Sequence, residues 1–365
     1  MQIKSITNRI LIATNFIFVV LILLAISGSV ISPAKFVLPI FFILVFPVIV
    51  IINILFVILW ISLRKWFFLI SLIALLISYK QISTGFPIHF HGKGNESHPN
   101  SLVLVSYNTM SFGNQKKHLP NDPNGVIQYL LATNADIICM QEYFVTDNPD
   151  QLTQSDIDSL FKNYPYRYVK FDFKNHDGKT GLATFSKYPI IKNEIIKYTS
   201  IFNASMYSDI VVNEDTIRVI NNHLESNWIL GNDLLLPEQL EADFNLKRFY
   251  HTIKYLSKKL VVANPIRANQ ADSIRKIINS TPYKIIVCGD FNDVPNSYSY
   301  TTIKGDLKDA FVNYGNGFGW TFNSSIYKLR LDYVFYDQNF EVNDFRIGKT
   351  YSSDHFPVRC VLSMN

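Results

Sequence analysis

Apolar residues run almost unbroken through the first eighty positions, then give way near Ser101 to short alternating runs separated by polar turns. Twenty-five uncharged residues lie between Arg9 and Lys35, and twenty-eight between Lys35 and Arg64. At about 1.5 Å per residue, each can cross a hydrocarbon core of roughly 30 Å as a helix. A third run, Trp66 to Tyr79, covers only about 21 Å unless the helix continues past Lys80 towards Phe86. The expected N-terminal unit is therefore a transmembrane anchor over 1–86, with helices at 10–31, 36–63 and 66–86. A second long apolar run so soon after the first argues against a cleaved signal peptide. Residues 87–100 (PIHFHGKGNESHPN) have no apolar period and read as a linker, with His89, His91 and His98 as solvated side chains.

From 101 to 365 the pattern is that of one mixed α/β domain. Strands are expected at Leu102–Tyr107, Asp136–Gln141, Tyr166–Phe171, Leu182–Ser186, Ile210–Val212, Thr216–Asn221, Lys284–Cys288, Leu331–Tyr336 and Phe356–Leu362. Helices are expected at Pro123–Thr133, Pro237–Leu260 and Pro265–Asn279, each opened by a proline in its first turn. The runs around Asn213-Glu214-Asp215 read as a hairpin, which excludes an all-parallel sheet. Cys139, Cys288 and Cys360 sit inside strand candidates as small hydrophobes. Their odd number, without C-x-x-C, offers neither a zinc site nor a redox motif.

Charge changes the picture in one respect. Of the 34 basic and 29 acidic residues, six basic and no acidic ones fall in 1–80, leaving a formal charge of −1 for the rest. The overall +5 thus belongs to the membrane flanks and is no nucleic-acid footprint. Lys4 and Arg9 before the first span, and Arg64 and Lys65 between the second and third, are expected on the cytoplasmic side. Residues 87–365 then emerge outside if the third run crosses, making this an integral cytoplasmic-membrane protein with an extracytoplasmic domain. Apart from Lys80 late in the third, the spans contain no internal charge or histidine that would mark a transport path.

Candidate chemistry gathers at strand ends. Leu102–Asn108 closes on an amide, Asp136–Glu142 on a carboxylate and Arg218–His223 on an imidazole, while Ile285–Asn292 closes on Asp290 and Asn292. Asp332, Asp354 and His355 follow in two later segments. Singly, each has an ordinary explanation as a turn or a solvated end. Together they suit a hard divalent cation with a general base.

In order along the chain stand Asn108, Gln141-Glu142, Gly181–Ile190 (GLATFSKYPI), Asn222–Leu224 (NHL), Gly289–Asp293 (GDFND), Leu331–Phe335 (LDYVF) and Ser353–Pro357 (SDHFP). This series resembles the endonuclease/exonuclease/phosphatase (DNase I-like) superfamily of metal-dependent phosphodiesterases and phosphatases, from about Leu102 to Leu362. The resemblance implies a four-layer α/β/β/α sandwich and a Mg²⁺ cofactor, with Mn²⁺ as an alternative ion. It makes Glu142 the principal metal ligand with Asn108 beside it, and Asp354 a candidate second metal position. It makes His355 the base or phosphate-contacting imidazole with Asp332 as its partner. Asp290 and Asn292 would orient the attacking water, and His223 would donate to the phosphoryl group. The composition, rich in Ile, Asn, Lys, Phe and Tyr, suits an AT-rich bacterial genome.

After Asn108 the chain reads Thr109-Met110, so the nearby aspartate of the abasic-site endonuclease branch is absent. A tethered, near-neutral domain favours a lipid or small organophosphate ester over nucleic acid. A DNase I-like nuclease and a catalytically silent, membrane-tethered binding module are the alternatives. The expected partners are the phosphate-ester substrate and the bilayer, with no protein partner. Three further features have an ordinary reading and a functional one. The basic run Lys247 to Arg267 is a solvated helix face or lines a cleft. Tyr298, Tyr300 and Trp320 pack or stack on substrate. Trp228-Ile-Leu and Leu234–Pro237 form a buried turn or a membrane-facing loop.

Overall fold

The computed structural model describes residues 2–90, 101–174, 176–200, 203–227, 245–323 and 328–364. Its strands are β1 (Ser101–Asn108), β2 (Ile137–Val145), β3 (Tyr166–Lys174), β4 (Lys179–Ser186), β5 (Ile190–Ile195), β6 (Ser205–Val212) and β7 (Asp215–His223). These are followed by β8 (Lys284–Asp290), β9 (Lys308–Asp309), β10 (Phe322–Asn323), β11 (Lys328–Leu329), β12 (Asp332–Tyr336), β13 (Phe340–Ile347) and β14 (Val358–Met364).

They form two six-stranded sheets, ordered β13-β14-β1-β2-β4-β3 and β5-β6-β7-β8-β12-β9, with β10-β11 as a separate ribbon. Each sheet holds one parallel pair, β1 with β2 and β7 with β8, among antiparallel neighbours. The two-residue period decides the layers. Leu102, Leu104, Ile137 and Cys139 of one sheet meet Ile217, Val219, Ile286 and Cys288 of the other in the central core. The intervening Val105, Ile138 and Met140 face outward onto the helices Gly125–Ala132 and Gln154–Leu160. Ile285 and Val287 likewise face Leu246–Ser280 and Tyr298–Lys304. The result is the expected α/β/β/α sandwich, and all three cysteines are free thiols buried within it.

Local departures from the expected elements have identifiable causes. Residues 246–280 form one helix with Pro265 inside it, where a break between two helices was expected. Neighbouring Ala263 and Asn264 are buried, and the Asn264 amide donates to Leu260 O at 2.9 Å, so packing outweighs the hydrogen bond that proline removes. The expected start of that helix, 237–244, lies outside the described residues, as do 228–236 and most of the linker. Pro123 does not open its helix either: Asn124 is the N-cap, accepting from Val126 N and Ile127 N. The short Gln154–Leu160 helix was legible in its capping box, Thr153 with Asp156, and was not anticipated. Strands β5 and β13 were also not anticipated. β5 is an edge strand whose outward residues are exposed, and β13 loses its alternation at a bulge between Val342 and Asp344.

One glycine is demanded by sheet geometry. Gly289 in β8 has φ +127°, and a Cβ there would lie 2.0 Å from Asn222 O on β7. Gly289→Ala is expected to destabilise the protein by more than about 2 kcal/mol, read as a shift of the urea midpoint without change in slope. An unchanged midpoint would show that the two strands can part at no cost.

The N-terminal region is a bundle. Helix Gln2–Ser27 runs against Phe46–Ser62, with Phe18 beside Phe56 and Ala25 clustered with Phe46 and Val50. Phe68–Ile77 and Tyr79–Gly85 return alongside, bent by 64°. Trp60 Nε1 donates to Asn15 Oδ1, Asn15 Nδ2 to Ser71 Oγ, and Ser71 Oγ to Asn53 Oδ1, at 2.9, 2.5 and 2.8 Å. This buried chain of uncharged groups ties three helices without exposing a polar atom. Among the described residues, Asn8–Ser27 is long and apolar enough to cross a membrane, and the bent pair passes together; Phe46–Ser62 is apolar but shorter.

Contacts join the bundle to the sandwich. Arg330 Nη2 donates to Thr84 O at 2.8 Å, and Asn296 Nδ2 to Gln81 O at 2.9 Å. Ile43 packs with Val294 and Leu331, and the Phe86 ring meets Phe318 edge-on at 4.8 Å. The bundle end that carries these contacts is opposite the end carrying Arg9, Arg64 and Lys65.

Candidate active site

Both parallel strand pairs deliver their C-terminal ends to one cleft. β1 ends at Asn108, whose neighbour in register is Gln141, and the next residue on β2 is Glu142. Glu142 has φ +53° and sits where the β2–β4 register slips between Met140 and Tyr143. The slip turns its carboxylate out of the strand alternation into the cleft. On the second sheet, His223, Asp290 and Asp332 lie side by side on β7, β8 and β12. The segment before β14 adds Asp354 and His355.

Asp290 is the centre of the constellation. Its Oδ2 accepts from Asn108 Nδ2 at 3.0 Å and Asn292 Nδ2 at 3.3 Å, and its Oδ1 accepts from Asn292 N at 2.8 Å. His223 Nε2 is 3.7 Å and His355 Nε2 3.6 Å from Oδ2. Asn108 Nδ2 also donates to Glu142 Oε1 at 3.1 Å, and His223 Nε2 stands 3.8 Å from the same oxygen. His355 Nδ1 meets Asp332 Oδ2 at 2.8 Å. With Asp332 ionised, Nδ1 is the donor and Nε2 faces the cleft. Asn108, Glu142, His223, Asp290, Asn292, Asp332 and His355 are thus brought together. Asp354 is half-buried at the edge of the group and acts on Glu142 and His355 through its charge.

These surroundings separate the titrating groups. Burial, reinforced by Asp354, pushes the Glu142 carboxyl up to about 7. Burial also raises Asp290 and lowers His223. For His355, burial alone would lower the pKa, but Asp332 and Asp290 outweigh it and hold the ring protonated well above its usual range. Two imidazoles in one cleft are therefore shifted in opposite directions.

The acid-rich cleft fits a cation. Asp290, Asp332 and His355 present ligand atoms within 4.8 Å of one another. Yet the 2.8 Å Nδ1···Oδ2 contact is a hydrogen bond with no room for an ion between the partners. Glu142, half-buried with the Asn108 Nδ2 amide beside it, presents a second carboxylate to the cleft, the oxygen chemistry that suits a hard ion keeping several waters.

Supporting residues were missed or misread in the sequence. Ser353 Oγ donates to Asn108 O and accepts from His355 N, linking the end of β1 to the segment before β14. Thr321 Oγ1 accepts from Asp332 N, and the Phe322 ring lies 5.0 Å from that of His355. Gln141 Nε2 donates to Asn221 Oδ1 at 2.7 Å beneath the cleft, joining the sheets. Arg267 does not belong to a solvated face. It is buried, donates to Asn227 Oδ1 and Glu225 O, and lies 3.6 Å from Asp293. Lys247 is exposed. Tyr300 donates to Asp309 and Tyr298 to Asp272, so neither is a stacking platform.

The Endonuclease/Exonuclease/phosphatase family matches residues 105–355, the span that holds every residue brought together in the cleft. The chain belongs to the endonuclease/exonuclease/phosphatase family. A separate domain of unknown function, DUF8431, matches residues 8–85. No match was found among curated proteins. In fold, this family member is similar to the endonuclease/exonuclease/phosphatase from Beutenbergia cavernae DSM 12333, at 14% identity over 73% of this chain and 72% of that one, TM-score 0.51. It is also similar to the family protein from Leptotrichia buccalis C-1013-b (16%, 72% and 99%, TM-score 0.49) and the human Nocturnin catalytic domain (15%, 73% and 95%, TM-score 0.48). At these identities the likeness carries the fold alone.

Proposed function

We propose that the protein is a membrane-anchored, divalent-metal-dependent phosphoric ester hydrolase whose substrate is a lipid or small organophosphate. The observation that carries the reading is the convergence of Asp290 with the Asp332–His355 pair and with Glu142 and Asn108 in one cleft. Glu142 and Asn108 would hold Mg²⁺, with Asp354 within electrostatic reach, and the bound ion would supply Lewis-acid polarisation of a phosphoryl oxygen. Asp290, its pKa raised by burial and its carboxylate fixed by Asn108 and Asn292, is placed to take the proton of the attacking water at Oδ2. His355, kept charged by Asp332, offers Nε2–H to a non-bridging oxygen as negative charge builds. His223, kept neutral by burial, offers a second N–H without adding charge.

The anchor reading is supported by the apolar helix Asn8–Ser27 and by attachment of the sandwich at the bundle end away from Arg9, Arg64 and Lys65. By the excess of basic residues at the far end, the catalytic domain stands outside the cytoplasm.

The test is a Mg²⁺-dependent hydrolysis panel on the full chain in detergent, each substrate paired with an Asp290→Asn control. Plasmid DNA, RNA, phospholipids, sphingomyelin, inositol phosphates and bis(p-nitrophenyl) phosphate are compared. Metal-dependent cleavage of a lipid or small ester that the control abolishes is expected. Cleavage of DNA or RNA alone would assign the nuclease alternative, and silence from folded, metal-binding protein would assign the binding module.

A further inference from the structure

The cleft does not end at its polar residues. Asn292 and the buried Arg267 line a small cavity whose other walls are Ile43 and Leu44 of the bundle and Val294 and Leu329 of the sandwich. The same four apolar residues also border a groove of about 270 Å³ between bundle and sandwich. Phe46 and Pro47 continue the groove along the bundle, and Trp320 and Lys328 stand at its catalytic-domain rim. One face of the groove is thus bundle surface, and nearby Leu38, Val45 and Val48 are exposed on that bundle. The groove therefore shares Ile43, Leu44, Val294 and Leu329 with the small cavity on whose wall Asn292 stands, two residues from Asp290.

Resting on the hydrolase and anchor readings above, we propose that this junction groove binds the acyl chain of a lipid phosphate ester and holds its headgroup in the Asp290–His355 cleft. Three features favour a lipid chain over another occupant. Ile43, Leu44, Phe46 and Pro47 make the bundle side of the groove apolar, and its polar residues, Asn296, Lys328 and Arg330, all belong to the sandwich. It is continuous with the surface that bilayer lipids would cover. Lys328, whose Nζ lies 5.4 Å from the Trp320 ring centroid, places a cation beside an interfacial aromatic at the rim, where an anionic headgroup would pass. Bundle and sandwich then form one substrate site, and a lipid reaches the cleft without leaving its leaflet.

The experiment uses the full chain in vesicles of phosphatidylglycerol and phosphatidylcholine. Hydrolysis of long-chain and short-chain (diacetyl) forms of each lipid is compared between the wild type and Leu44→Trp, which fills the groove at a partly exposed position. The ratio of long-chain to short-chain kcat/KM is expected to fall at least tenfold. In parallel, a diazirine-acyl phospholipid should label peptides containing Val294 and Leu329 in the wild type and lose that labelling in Leu44→Trp. An unchanged ratio together with unchanged labelling overturns the groove. Turnover of bis(p-nitrophenyl) phosphate with no lipid hydrolysis or labelling also overturns it while leaving the hydrolase intact. Labelling without turnover of any ester would keep the groove and remove the hydrolase reading.

Discussion

Glu142→Gln is expected to lower metal-dependent turnover by about 10³-fold or more and to abolish Mg²⁺ binding by calorimetry at millimolar concentrations. The substitution keeps the volume and the hydrogen bond with Asn108 but removes the charge, so the melting temperature should change little. The parent side chain also predicts a pH dependence. Its carboxyl is held at about 7 in the metal-free protein, above the roughly 4.3 of an ordinary glutamate. Between those values the native state binds more protons than the unfolded one, so this group's contribution to stability falls as pH rises through the window. A cation must displace that proton, so Mg²⁺ affinity should weaken about tenfold for each unit below pH 7. Titrations at pH 6, 7 and 8 check this. Equal affinity at all three, or Mg²⁺ binding by the Gln variant, would move the ion to the Asp290–Asp332–His355 group.

His355→Ala should cost about 10³-fold in kcat and leave Mg²⁺ affinity within a few-fold of the wild type. The ring supplies a charged donor facing the cleft, and removing one such donor typically costs about 10²–10³-fold. Truncation also leaves Asp332 buried without its partner, so stability should drop by roughly 1–3 kcal/mol. Asp332→Asn separates the two effects. It keeps a hydrogen-bonding side chain beside Nδ1 but no longer supports the positive charge, so the pH above which turnover declines should move down. Retention of more than a tenth of the activity in His355→Ala would remove the ring from the chemistry.

How much of this could be read without coordinates depends on whether a residue's role is local. The core strands were legible because Leu102–Val105, Ile137–Met140 and Ile285–Cys288 are continuous apolar runs, as strands of a sheet buried on both faces require. The site residues were legible because each ends such a strand. Strand β5 was not, since an edge strand with an exposed outward face carries no apolar alternation. Pro265 misled for a related reason: whether a helix survives an internal proline depends on what its faces pack against.

By itself the sequence determined the mixed α/β character of 101–365 and the apolar N-terminal runs, because periodicity is a property of the chain, and its motifs carried the family resemblance that implied the layer order and the candidate site residues. The tertiary structure alone decided the turn of Glu142 into the cleft, because it depends on a register slip against β4. It likewise decided the opposite pKa shifts of His223 and His355, because each reflects burial and carboxylates distant in sequence. It decided the burial of Arg267 beside Asp293, where a helix wheel puts a solvated cation. Above all it decided that the bundle packs against the sandwich beside Asn292, since no spacing along the chain connects Ile43 with Val294 and Leu331.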